Sequence, residues 1–236
     1  MTPADHDPPA AVGFDTGDET VDAALADLAA ADPDTARYAE TGFSGLTWGT
    51  GLSAVSLRGL QEYLWYQLPE KYWAPVEEHH AIAHGLGALF EQLGLPRYAA
   101  LCTSPVTTTI LNAYATGGRS PGITAYRKAL TIGGVEPPEI PSLLTWGGTL
   151  GVEEHAAFWA LADHLEDAIT TGVYTPGARG WKDTCAATAA AFLTVPRLDL
   201  GGDSYLDRIH TERRTRWADS RGPGRRDLTH AVLHPC

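Results

Sequence analysis

The sequence predicts a mostly α-helical protein built around a single bundle-like domain. Three apolar stripes with helical spacing carry this prediction, and they consist of Leu57, Leu60, Leu64 and Leu68, then Ile82, Leu86, Leu89, Phe90 and Leu93, then Phe158, Leu161, Leu165 and Ile169. Side chains three or four residues apart share one face of a helix, so each stripe can pack against another. No segment alternates apolar and polar residues for long enough to predict a sheet.

Proline and glycine mark where each of these helices ends. Pro69 is expected to end the first, Gly94 and Pro96 the second, and Gly172 the third, because proline lacks an amide donor and glycine readily leaves the helical conformation. Shorter helices are predicted at residues 97–102, 106–115, 123–130, 182–193 and 204–217.

Length and composition exclude several classes of protein. A chain of 236 residues with 44% hydrophobic and 19% charged residues can bury a core without disulfides and is not wholly disordered. No apolar run reaches the roughly 18 residues of a membrane span. Cys102, Cys185 and Cys236 lack any CxxC spacing, which predicts a reducing, cytoplasmic location and no zinc ribbon.

Charge divides the chain into three parts. Residues 1–36 contain nine acidic residues and no lysine or arginine, so residues 1–40 are predicted to form a flexible acidic tail, with residues 21–31 as a further helix candidate. Residues 41–197 form the predicted helical core domain. Residues 198–236 form a capped helix and an arginine-rich tail. The net charge of −12 disfavours broad nucleic-acid binding.

A Leu-Thr-Trp-Gly loop occurs twice, at residues 46–52 and 144–150, each time just before a predicted helix. Two interpretations remain open. The indole could cap the bundle while glycine permits a tight turn. Alternatively, free N–H groups at these helix starts could bind an anionic ligand.

A cluster of histidines and glutamates raises the alternative of a metal site. His80 and His84 are four residues apart and Glu77 lies three before His80, so the three could share a divalent metal. These three side chains lie on the side of the helix opposite the apolar stripe. A solvent-exposed polar face is therefore favoured over a metal site. His79 projects on the apolar side and is the histidine expected to be buried.

Glu154 falls within the third apolar stripe, where a carboxylate needs a partner. It could cap its helix, pair with a histidine such as His79, or serve metal or acid–base chemistry. Glu154 and His164, ten residues apart, resemble the metal ligands on the second helix of the haem-oxygenase-like di-iron oxidases. Asp203, Asp207 and His210 resemble the metal ligands on the third helix of the same family. That resemblance implies a metal-dependent enzyme. The hypothetical site would hold Fe, Mn or Zn through His79, His80, His84, Glu154 and His164.

Other active-site and nucleic-acid motifs find less support. The chain has no GxSxG, no GxxxxGK[ST] and no GxGxxG after a strand, which removes the usual hydrolase, kinase and dinucleotide-binding interpretations. Residues 96–114 could form a helix-turn-helix, but its second helix carries threonines and Asn112 with no basic residue before Arg119. DNA binding is therefore weakly supported.

The C-terminal segment carries a family resemblance. Phe192-Leu193-Thr194-Val195-Pro196 followed by Leu198-Asp199-Leu200-Gly201-Gly202 resembles the toxin-binding domain of Xre/ParS-type antitoxins. A helix should end at Pro196, the two glycines should turn the chain, and Ser204 with Asp207 should form a capping box. The resemblance implies a homo-oligomeric helical regulator that binds a partner protein through this end.

The sequence thus predicts a non-catalytic regulatory or interaction protein without a cofactor. Its C-terminal helix is expected to bind a macromolecular partner, most simply a protein, because arginine and tryptophan are enriched where interfaces gain most energy. The predicted contact residues are Leu206, Ile209, Arg213, Arg216 and Trp217. The alternative is the metal-dependent enzyme described above.

Overall fold

A computed structural model describes residues 14–220, with side chains as far as residue 218. The predicted mostly α fold is confirmed: this part of the chain is mostly helical and contains no β-strand, with one isolated bridge between Ile140 and Leu144. The described helices group into two compact units, the first ending at Gly133 and the second beginning at Gly134. Within the described residues, no helix is both long and apolar enough to cross a membrane.

The described part of the first unit contains eight α-helices. They are α1 (Glu19–Ala31), α2 (Pro33–Thr47), α3 (Leu57–Glu62), α4 (Leu68–Lys71), α5 (Val76–Gln92), α6 (Pro96–Cys102), α7 (Pro105–Gly117) and α8 (Arg119–Gly133). A turn of π-helix, Tyr63–Gln67, joins α3 to α4, so the first predicted helix runs two residues past Pro69. The proline is tolerated because it lies in the first turn of α4, where a missing amide breaks no α-helical hydrogen bond.

The predicted acidic tail is ordered helix from Glu19 onward, which corrects the boundary at residue 40. Val21, Leu25 and Leu28 form a buried stripe on α1 while the acidic side chains lie on its other face. Asp18 accepts hydrogen bonds from the amides of Thr20 and Val21, and also from the Leu52 amide at 3.0 Å. Several of the acidic residues are therefore helix caps and surface residues of the folded unit. The part of the tail before residue 14 lies outside the described residues.

Helix α5 is the centre of the first unit. Its predicted stripe is confirmed at Ile82, Leu86, Leu89 and Phe90, which are fully buried. Leu93, the fifth predicted member, is partly buried and lies at the C-cap, just past the last helical residue. The helix packs closely against α2, and Gly85 permits the close approach: a Cβ at this position would lie 2.6 Å from the backbone nitrogen of Ala39.

The second unit contains α9 (Val152–Thr170), α10 (Trp181–Thr194) and α11 (Tyr205–Ser220), preceded by an irregular segment from residue 134. Its core includes Leu144, Leu161, Leu165, Leu193 and Ile209. Phe158 and Ile169, both predicted stripe residues, are only partly buried, because the buried face of α9 is centred on Ala157, Leu161, Leu165 and Ala168.

The predicted junction before the C-terminal helix is confirmed in its local features. Helix α10 ends at Thr194, two residues before Pro196, and Gly201 and Gly202 both adopt positive φ angles, +72° and +96°. The Ser204 hydroxyl accepts the Asp207 amide, and the Asp207 carboxylate accepts the Ser204 amide, both at 3.1 Å. This is a capping box, and it fixes where α11 begins.

Candidate partner-binding groove

A groove in the second unit brings together three features that the sequence singled out separately: the second Trp-Gly loop, Glu154 and the C-terminal helix. Its volume is about 490 Å³, and it is lined by Thr145, Trp146, Gly147, Glu154, Arg213, Arg216 and Trp217. Two arginines and two tryptophans thus surround one buried carboxylate.

Glu154 is the electrostatic centre of the groove and is 2% exposed. Arg213 donates a hydrogen bond to Glu154 Oε1, and the Gly151 amide donates to Oε2 at 3.3 Å. Burial by itself raises the pKa of Glu154, but these hydrogen bonds and the charge of Arg213 more than offset it, so the pKa lies below its ordinary value. Glu154 is therefore an ionised cap and ion-pair partner.

This pairing corrects the suggestion that Glu154 pairs with a histidine such as His79. The acceptor was identified from the sequence, because a carboxylate in an apolar stripe needs a partner. The donor was missed because Arg213 lies 59 residues further along the chain, on a helix whose packing against α9 no local pattern reveals.

Glu212 belongs to α11, but its side chain caps the start of α9, beside the pair of Glu154 and Arg213. Its carboxylate accepts hydrogen bonds from the amides of Val152, Glu153 and Glu154, at 2.6, 3.1 and 3.3 Å. These are N–H groups that have no partner within their own helix. The hypothesis that they bind an external anion is therefore wrong for this Trp-Gly loop, because a side chain of the protein already supplies the negative charge.

Replacing Glu212 with alanine is expected to lower the free energy of unfolding by about 1–2 kcal/mol, since up to three amides lose their acceptor. Glu212→Gln keeps one acceptor oxygen and should be affected less. Chemical denaturation of the two variants checks this order. Equal stability of Glu212→Ala and the unaltered protein would show that α9 does not depend on this cap.

The five predicted contact residues of α11 have different roles. Ile209 is fully buried in the core of the second unit, and Leu206 packs partly buried against it. Arg213 donates to both Glu154 and the Thr145 carbonyl oxygen. Only Arg216 and Trp217 of the predicted set are half or more exposed, at 50% and 59%. The prediction is thus corrected for Ile209, because the apolar side of α11 faces α9 and α10.

The two Trp-Gly loops differ in what their indoles do. Trp146 donates from Nε1 to the Pro138 carbonyl oxygen at 3.2 Å and packs edge-on against Phe158, as the capping interpretation predicts. Trp48 is 81% exposed and adopts a left-handed backbone conformation with φ of +51° at the end of α2. The capping interpretation is therefore wrong for the first loop.

The residues of the hypothetical metal site each have different neighbours in the structure. In the first unit, buried His79 donates to the Tyr72 carbonyl oxygen, and His80 Nε2 lies 3.0 Å from Asn112 Oδ1. His84 is exposed. In the second unit, the His164 ring stacks on Phe192 at 4.6 Å. Across residues 14–220, no three His, Cys, Asp or Glu side chains are grouped so that they could hold a metal ion.

The threonine-rich helix proposed for base contacts is α7, and its first threonine faces inward. Thr107 is 1% exposed, accepts a hydrogen bond from Trp65 Nε1 at 2.8 Å and donates to the Leu101 carbonyl oxygen. These bonds fix α7 within the first unit. Thr107 therefore contributes to packing and is not available to nucleic acid.

No protein-family model, no curated protein and no solved structure matches the chain. The function is therefore inferred from the geometry of the groove and the chemistry of the side chains that line it. Arg216 and Trp217 are exposed, and the partly exposed ring of Trp146 lies in the same groove, so a partner could reach all three.

Proposed function

We propose that the protein is a non-catalytic helical regulatory module that binds an acidic segment of a partner protein in this groove. One observation carries the proposal: Arg216 and Trp217, adjacent on α11, are both exposed in a groove whose other arginine is engaged internally. Arginine and tryptophan supply much of the binding energy at protein interfaces.

The charge of Arg216 supports an acidic partner. Its Nη1 lies 3.8 Å from Glu154 Oε2, beyond hydrogen-bonding distance, and its side chain is half exposed. A guanidinium in this position can donate two parallel hydrogen bonds to a carboxylate of the partner. Arg216 also lines a neighbouring cavity of about 580 Å³ with Val152, which is 79% exposed. A partner segment could therefore contact both cavities.

The indole rings support an apolar or aromatic residue beside that carboxylate. Trp217 is mostly exposed, and Trp146 is held rigidly by Pro138 and Phe158. A preorganised ring loses little conformational entropy when a partner packs on it. The antitoxin resemblance of residues 192–207 belongs to this proposal, because it implies a homo-oligomeric helical regulator that binds a partner protein through the same end of the chain.

The test compares the full-length protein with an Arg216→Glu, Trp217→Ala double variant and with an Arg214→Glu control. Arg214 is exposed on the same helix and its described contact is to Thr211, so the control makes a similar charge change outside the groove. Proteins cross-linked to each form in cell extract are identified by mass spectrometry. We expect at least one protein to be retained by the control and lost from the double variant.

Two results would contradict the proposal. One is that the double variant retains every cross-linked protein of the unaltered chain. The other is that the control loses the same proteins, which would indicate a general effect of charge. Circular dichroism of all three forms confirms that the helices are intact.

A further inference from the structure

A second cavity, in the first unit, has walls of a different chemistry. It holds about 320 Å³ and is lined by Pro69, Glu70, Ala74, Val76, His79, Tyr114, Ala115 and Arg119. This volume is at the lower end of the range of small-molecule sites. It combines one carboxylate, one guanidinium, one phenol and one imidazole with a group of small apolar side chains. Of these side chains, the sequence marked only His79 as a candidate functional group.

The two opposite charges lie side by side. Arg119 Nε donates to Glu70 Oε1 at 2.6 Å, and the two side chains are 67% and 21% exposed. The contact uses one nitrogen of the guanidinium and one oxygen of the carboxylate, so each group has further hydrogen-bonding capacity. A largely exposed ion pair contributes little to stability. A ligand that offered each charge a new partner could therefore separate the pair at small cost.

Tyr114 supplies the third polar group. Its hydroxyl oxygen is buried and has no hydrogen-bond partner within the described part of the chain. Burial, with the nearby charge of Glu70, raises the pKa of Tyr114 to about 12, so the hydroxyl keeps its proton at neutral pH. A buried hydroxyl without a hydrogen-bond partner is unfavourable. Such a group is a natural donor for a ligand oxygen.

Neighbouring packing fixes these walls in place. The ring of Tyr114 lies directly against the backbone of α8, where a Cβ on Gly122 would come within 2.3 Å of the Tyr114 Cγ. Another part of the cavity wall is held by His79, whose Nε2 donates to the Tyr72 carbonyl oxygen at 3.0 Å and whose ring packs edge-on against Tyr72. This contact holds the turn that carries Ala74. These contacts fix the positions of the Tyr114 ring and of that turn.

We propose that this cavity binds a free α-amino acid with a small aliphatic side chain. The ligand carboxylate accepts hydrogen bonds from Arg119 and Tyr114, and its ammonium group donates to Glu70. The aliphatic side chain packs on Pro69, Ala74 and Val76. A zwitterion matches the adjacent opposite charges of the wall, whereas a simple carboxylate would leave Glu70 without a partner for its charge.

Isothermal titration calorimetry of the full-length protein with L-leucine tests the proposal. Two analogues serve as probes: 4-methylpentanoate lacks the ammonium group, and L-leucinamide lacks the carboxylate. We expect saturable binding of L-leucine and binding of each analogue that is weaker by about tenfold or more, which corresponds to about 1.4 kcal/mol.

Three variants and one control assign the binding to this cavity. Tyr114→Phe and Arg119→Gln should each weaken L-leucine binding about tenfold or more, while Arg127→Gln, an exposed arginine on the same helix as Arg119, should leave it unchanged. In Glu70→Gln, the preference for L-leucine over 4-methylpentanoate should disappear. Tyr114→Phe should also fold with unaltered or higher stability, because it removes a hydroxyl that has no partner.

The proposal is overturned if L-leucine shows no saturable binding, if Tyr114→Phe binds it as tightly as the unaltered protein, or if 4-methylpentanoate binds as well as L-leucine. These results would leave the groove of the second unit unaffected, because none of the variants lies in that unit.

Discussion

Gly85→Ala is expected to lower the free energy of unfolding by about 3 kcal/mol, although alanine is the better helix former. The added methyl group would lie 2.6 Å from the Ala39 backbone nitrogen and 2.9 Å from the Thr35 carbonyl oxygen. Backbone atoms of α2 cannot rotate away as a flexible side chain can, so the two helices must move apart. Because this crossing is central to the first unit, the loss of packing extends along both helices.

Gly87→Ala is the matched control on the same helix. Its added methyl group would meet the Thr103 Cγ2 atom at 3.0 Å and the Cys102 Cβ atom at 3.3 Å. A small shift of these side chains, together with the gain in helix propensity of about 1 kcal/mol, should keep the change within about 1 kcal/mol. Urea denaturation of both variants measures the difference. If both variants lost a similar amount of stability, the close approach of α2 to α5 at Gly85 would not be the reason for the effect.

Arg213→Ala is expected to lower the free energy of unfolding by about 3 kcal/mol at neutral pH, because it leaves the carboxylate of Glu154 buried without its closest partner. Arg208→Ala is the control on the same helix. Arg208 pairs with Glu153 at 2.6 Å, but both side chains are about one-third exposed, and an exposed pair contributes at most about 1 kcal/mol. If the two substitutions lowered the free energy of unfolding equally, the burial of Glu154 would not be what makes its ion pair important.

The pH dependence of this effect follows from the lowered pKa of Glu154. A carboxyl group whose pKa is lower in the folded state stabilises the fold above its unfolded-state pKa, and this contribution is lost as the pH falls through the folded-state pKa. The ordinary value is 4.5, so the stabilisation is complete above that pH and declines below it. The difference in stability between the unaltered protein and Arg213→Ala should therefore shrink on acidification below pH 4.5.

Features that depend on short sequence separations were predicted well. The stripe on α5, the buried position of His79 and the capping box of Ser204 and Asp207 all involve residues within a few turns of one another. Helix geometry fixes these relations whatever the rest of the chain does. The same reasoning identified Glu154 as a carboxylate in need of a partner.

Features that depend on long-range packing were missed. The acidic composition of residues 1–36 concealed the buried stripe of Val21, Leu25 and Leu28, since a count of charges carries no information on which face they occupy. Glu212 was not considered as a cap because caps usually come from the residues beside a helix start, and it lies 60 residues away from Val152.

The sequence by itself determined that this protein is mostly helical, where several helices end and which side chains of α5 face the core, because apolar periodicity and the chemistry of proline and glycine act locally. The tertiary structure alone decided which distant groups meet: Gly85 against α2, Glu212 at the start of α9, and Arg213 on Glu154. These contacts depend on the packing of helices that are remote in sequence, and the groove around Arg216 and Trp217 exists only through that packing.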